Sequence, residues 1–107
     1  MDLMRELYET AQSRRENAQE GSYTGYLFQQ GLDKILKKCA EECGEVIIAA
    51  KNGRQADTVG EISDLLYHLV VMMVHEGIPL EAVEEELARR AQKQGNLKQF
   101  HQVDRNT

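Results

Sequence analysis

Tryptophan is absent, proline occurs once, and apolar residues never run on for the roughly 18 positions needed to cross a bilayer. A single proline, with Ala, Leu, Glu, Lys and Gln abundant and no sustained alternation of apolar and polar residues, excludes a turn-rich sheet protein and favours helices. The missing apolar run excludes a membrane-spanning helix, and no membrane partner is expected. The opening MDLMRELYET lacks the basic and apolar regions of a secretory signal, so a cytoplasmic location is expected. Cysteine is scarce as well. Cys39 and Cys43 stand four apart in one predicted helix, where a bridge would close almost no loop, so free buried thiols are expected. A soft-metal site would need more Cys or His nearby. Positive charge is short too: 13 Lys and Arg against 18 Asp and Glu leave a net charge of -5, which argues against a nucleic-acid partner. A small anionic ligand stays allowed if a metal bridges it. With 107 residues and 41% hydrophobic content, residues 1–107 are expected to form one all-α domain of four to five helices.

Helical periodicity organises most of the chain. Residues 3–19 carry Leu3, Met4, Leu7, Tyr8 and Ala11 at three-four spacing. Arg14 and Arg15, near that helix's end, suit its dipole as a solvated pair and are not assigned to a site. Residues 20–33 contain three glycines and Ser22-Tyr23-Thr24, which reads as a loop with at most one short helical turn after Thr24. Such a loop can either offer donors to a phosphate or cap the core with Tyr23, Tyr26, Leu27 and Phe28.

The second helix is expected from an Asp33 N-cap to Lys51, burying Ile35, Leu36, Cys39, Cys43, Val46, Ile47 and Ala50. The third begins between Gln55 and Val59 and ends at Glu76 before Gly77; the fourth runs from Pro79 to about Gln94. Ile62, Leu65, Leu66, Leu69, Val70 and Met73 should face the core, while Val71 and Val74 point elsewhere. A helix apolar nearly all round cannot be covered by so small a chain, so a homodimer through the central helices is expected. The tail from Gly95 is polar and either loose or docked by Leu97 and Phe100.

Two acidic clusters carry the chemistry. Glu42 and Glu45 share the edge of the second helix with Lys38, and Glu41 falls further round, better placed for a supporting role. On the third helix Glu61, Asp64, His68 and His75 fall on one face. In an antiparallel hairpin these faces meet, and carboxylates crowded against apolar flanks repel unless cations neutralise them. Hard oxygen ligands suit magnesium, with manganese as a substitute. A di-iron bundle would use Glu-x-x-His, and no acidic residue lies three before His68, His75 or His101.

Glu41-Glu42-x-x-Glu45 followed by Glu61-x-x-Asp64 resembles the signature of the all-alpha nucleoside triphosphate pyrophosphohydrolases, the MazG-like superfamily. Ser22-Tyr23-Thr24, Leu27, Gly31, KILKK, AAKN at 49–52 and DLLYHLVV from Asp64 narrow the likeness to the phosphoribosyl-ATP pyrophosphohydrolases over about residues 22–90. One departure is Ala40, where that pattern has glycine; Gly44 is the nearest glycine after it. The resemblance implies metal ligands Glu42, Glu45, Glu61 and Asp64, with Glu41 as support or water-orienting base. It implies substrate contacts from Ser22, Tyr23, Thr24, Lys34, Lys37, Lys38, Lys51 and Asn52. His68 either contacts substrate or packs at the core edge. The implied reaction, a step of histidine biosynthesis, is hydrolysis of 1-(5-phosphoribosyl)-ATP to the AMP analogue and pyrophosphate, with water as nucleophile. A general triphosphate pyrophosphohydrolase and a non-enzymatic helical interaction module are the alternatives.

Overall fold

A computed structural model describes residues 2–93, and the expectations for Leu97 and Phe100 lie outside them. Among the described residues five helices follow in order: α1 (Leu3–Glu16), α2 (Tyr23–Gln30), α3 (Leu32–Lys51), α4 (Gln55–Glu76) and α5 (Leu80–Ala91). There is no strand among the described residues. The Asp2 carboxylate opens α1 by accepting the Arg5 amide at 3.0 Å, satisfying one of the free N–H groups of a first turn. This helix ends at Glu16, three residues before the expected stop at 19. Asn17 closes it through the Ser13 carbonyl at 2.8 Å, and the polar Asn17–Glu20 segment offers no apolar face to extend it.

The segment expected to be a loop contains a two-turn helix, α2. Ser22 caps it, its Oγ accepting the Gly25 amide at 3.0 Å. Packing overrides the unfavourable glycine, because Leu27 is fully buried and Phe28 packs against both core clusters. Gly25 itself permits a close approach: a Cβ there would meet the Ala18 Cβ at 3.0 Å. The cap of α3 also differs from expectation. Gly31, at a φ of 95°, joins α2 to α3, so Asp33 lies inside the first turn rather than at the cap. Its negative charge still suits the helix N-terminus.

α3 and α4 pack as the principal pair, with α1 crossing the C-terminal half of α4. One core cluster joins Tyr8 and Ala11 of α1, Val70, Met73 and Val74 of α4, and Leu80 of α5. A second joins Leu27, Ile35 and Val71 from α2, α3 and α4. The Tyr8 hydroxyl donates to the Ile78 carbonyl at 2.7 Å, and Gly77 in the left-handed region lets the Ile78 amide reach back to the Met73 carbonyl at 2.9 Å. Pro79 stands as the cap before Leu80, and α5 stops at Ala91, short of the expected Gln94.

Both apolar stripes are rotated from their expected positions. On α3 the buried residues are Ile35, Glu42 and Ala49, with Cys39 and Val46 half-buried, while Leu36, Cys43, Ile47 and Ala50 face out. On α4, Val71 and Val74 are buried, whereas Ile62 and Leu66 are exposed. Each helix carries two apolar faces, and periodicity does not say which one turns inward. Among the described residues only the C-terminal half of α4 is enclosed, where α1, α2 and α3 surround it.

Candidate active site

Glu42 and Glu45 lie one turn apart on α3, and Glu61 approaches them from α4. One carboxylate oxygen from each falls within 4.8 Å of the other two. Glu42 is 6% exposed, Glu61 half-buried and Glu45 exposed, so the group sits at a wall of the helix pair with its open side at Glu45. Two of its oxygens, Oε2 of Glu42 and Oε2 of Glu61, are buried without a hydrogen-bond partner. Native proteins rarely leave such atoms unpaired, and a divalent cation held by oxygen ligands fits both the orphaned atoms and the donor set. The acidity of the group reflects this crowding. The hydrogen bond with Glu45 pushes the Glu61 carboxyl up to about 7, with burial and the Glu45 charge adding to it. Burial, then Glu45, pushes Glu42 up, while Glu45 is held down by its hydrogen bonds to Glu61 and Glu42.

Asp64, the fourth expected ligand, lies outside this group of three. It is exposed one turn beyond Glu61, near enough for its charge to raise the Glu42 pKa. Lys38 Nζ lies 3.4 Å from Glu41 Oε1 and 3.7 Å from Glu42 Oε1, which ties Glu41 to the rim by a shared cation. Lys34 is half-buried on α3, and Lys37 and Lys51 are exposed. Asn52 lines a cleft of about 210 Å³ with Glu45, Ile48, Ala49, Asp57 and Glu61. Asp57 was missed from sequence, although it stands four before Glu61 and so one turn earlier on the same face.

The Ser22-Tyr23-Thr24 hydroxyls are all engaged within the fold, and Tyr23 among them lies near enough to Lys38 and Glu42 to feel their charges. Ser22 caps α2, Thr24 Oγ1 is hydrogen-bonded to the Tyr67 hydroxyl, and the Tyr23 hydroxyl lies 3.0 Å from His68 Nε2. His68 is buried, and its Nδ1 lies 2.8 Å from the Asp64 carbonyl. A carbonyl only accepts, so Nδ1 carries the proton; in the neutral ring Nε2 then accepts from Tyr23. Burial pushes the Tyr23 phenol up, against the pull of Lys38, so it stays a donor at neutral pH. The Tyr23 ring stacks on Tyr26 and on Tyr67, at 6.2 Å each.

Beyond Tyr23 lies a larger groove of about 950 Å³ between the end of α1 and α2. Arg14, Arg15 and His75 line it, so His75 sits away from the carboxylates although it shares their helix face. Arg15 is structural there: its Nη1 donates to the Val74 carbonyl at 2.6 Å and its guanidinium lies 5.9 Å from the Phe28 ring centre.

The family model for phosphoribosyl-ATP pyrophosphohydrolase matches residues 4–91, adding α1 to the stretch that carries the resemblance. A phosphoribosyl-ATP pyrophosphatase of Pelotomaculum thermopropionicum is 55% identical over 92 residues, covering 86% of this chain and 94% of its own. One from Clostridium novyi is 49% identical over 98 residues, covering 92% and 89%. The histidine biosynthesis bifunctional protein HisIE of Lactococcus lactis is 48% identical over 100 residues, which are 94% of this chain and 47% of that protein. By the extent of these matches, and with the carboxylates of α3 and α4 converging, the chain belongs to the phosphoribosyl-ATP pyrophosphohydrolase family.

Proposed function

We propose that this protein hydrolyses 1-(5-phosphoribosyl)-ATP to 1-(5-phosphoribosyl)-AMP and pyrophosphate, as a cytoplasmic enzyme of histidine biosynthesis. The observation that carries the reading is the meeting of Glu42, Glu45 and Glu61, with two buried oxygens left unpaired. These three, with Asp64 completing the set from the next turn of α4, hold magnesium, for which manganese can substitute. When bound, the ion offsets the charge of the triphosphate and of the departing pyrophosphate. Water attacks, the anhydride bond between the α and β phosphates breaks, and the water's proton passes to the carboxylate rim, where Glu41 is the supporting base. Lys38, held beside Glu41 and Glu42, faces the phosphates, and Lys34, Lys37, Lys51 and Asn52 extend that polar border along α3. Ser22 caps α2 and Thr24 is tied to Tyr67, which anchors the turn that carries Tyr23, and Tyr23 and His68 form the wall of the substrate site.

Two copies pair through the central helices. The support is apolar surface that no part of the described chain covers: Ile47 and Ile48 on α3 are 60% and 62% exposed, and Ile62 and Leu66 on α4 are 42% and 41% exposed.

Pyrophosphate release from phosphoribosyl-ATP, with magnesium and after its removal, tests the reading directly. Activity should appear only with the ion, and Glu45→Gln should lose it by about two orders of magnitude or more, because it removes one charge and one good ligand. Glu85→Gln on α5 serves as the control with parental activity. Hydrolysis of free triphosphates in preference to the phosphoribosyl adduct would overturn the substrate assignment.

A further inference from the structure

The larger groove contains the one lining arginine that the fold itself does not use. Arg15 is committed to the Val74 carbonyl and the Phe28 ring, whereas Arg14 makes no ion pair among the described residues. The same groove is lined by the Tyr23 and Tyr26 rings, both more than 40% exposed and stacked on each other at 6.2 Å. An unpaired guanidinium and an exposed aromatic pair lining one groove suit a ligand that joins a phosphate to a flat base.

The groove also lies in line with the carboxylates. Glu61, His68 and His75 succeed one another at seven-residue intervals on α4, so they share a face and span about 21 Å at 1.5 Å per residue. Glu61 belongs to the acidic group, His68 holds the Tyr23 hydroxyl, and His75 lines the groove. Tyr23 therefore stands between the two sites, its hydroxyl turned to His68 and its ring forming part of the groove wall. The substrate has a matching order: a triphosphate at one end, adenine in the middle, and a second ribose with its own 5-phosphate on the far side.

We infer that this groove is the subsite for the adenine and phosphoribosyl end of the substrate, with Tyr23 and Tyr26 against the base and Arg14 on the 5-phosphate. Arg14 is then the residue that distinguishes phosphoribosyl-ATP from ATP, which lacks that phosphate. The inference rests on the function proposed above, and its test separates the two.

Kinetics of the full-length protein with magnesium should be compared on phosphoribosyl-ATP and ATP for the parent, Arg14→Gln and Arg14→Lys. The expected result is a rise of about tenfold or more in KM for phosphoribosyl-ATP in Arg14→Gln, partial recovery in Arg14→Lys, and a preference over ATP that falls by the same factor. Ribose 5-phosphate should compete with phosphoribosyl-ATP in the parent, a measurement that needs no variant. An Arg14→Gln enzyme with parental KM, or a parent indifferent to ribose 5-phosphate, would overturn the subsite and leave the proposed reaction standing. A parent that releases no pyrophosphate from phosphoribosyl-ATP would instead remove the reaction.

Discussion

The Tyr23 hydroxyl of α2 and Nε2 of His68 on α4 lie 3.0 Å apart, and the Asp64 carbonyl at 2.8 Å from Nδ1 determines which of them donates. With Nδ1 holding its proton against the carbonyl, the neutral imidazole presents an acceptor to Tyr23. One side chain of the Ser22-Tyr23-Thr24 segment is thereby fastened to the helix that carries Glu61 and Asp64.

Tyr23→Phe should cost about 1 kcal/mol of stability or somewhat more, because it leaves a buried ring nitrogen without its donor while keeping the aromatic packing. Urea denaturation measures this. A variant with the parental midpoint would show that the hydroxyl and His68 are not coupled in solution.

In the metal-free protein Glu61 should make stability depend on pH. Its carboxyl rises from the usual 4.5 to about 7 in the folded chain, chiefly through the hydrogen bond with Glu45. The folded state then binds the proton more tightly than the unfolded one, so the contribution is complete below 4.5 and is lost as pH rises through about 7. Glu45, whose carboxyl is lowered, acts in the opposite sense and only as pH falls below its usual 4.5. Melting temperature with a chelator present should therefore fall between about pH 5 and 8 in the parent and stay flatter in Glu61→Gln. Parallel curves for the two proteins would sink the assignment of shared protonation to this group.

Light scattering should give about twice the monomer mass of 12.2 kDa. Leu66→Glu and Ile47→Lys place charges on the exposed apolar faces of α4 and α3 and should shift the protein toward monomer without abolishing its helicity. A parent that is monomeric at micromolar concentration would refute the pairing.

The helices of this chain were legible because their information is local. Periodic apolar residues, Gly77 as a stop and Pro79 before the last helix lie close together along the chain, and the Glu41–Glu45 and Glu61–Asp64 spacing names the acidic faces before any fold is known. The α2 helix was not legible, since its glycine and hydroxyl residues favour a loop until Leu27 and Phe28 are buried by other elements. Tertiary structure also decided which of two apolar faces on α3 and α4 turns inward, because periodicity measures only the separation of residues around a helix. It brought Glu42, Glu45 and Glu61 together, left Asp64 one turn out, and added Asp57 to the cleft. It also spent Arg15 on a backbone carbonyl while leaving Arg14 free among the described residues, a division between adjacent arginines that spacing alone cannot make. Those outcomes depend on how helices distant in sequence pack, and burial and charge pairing are settled only there.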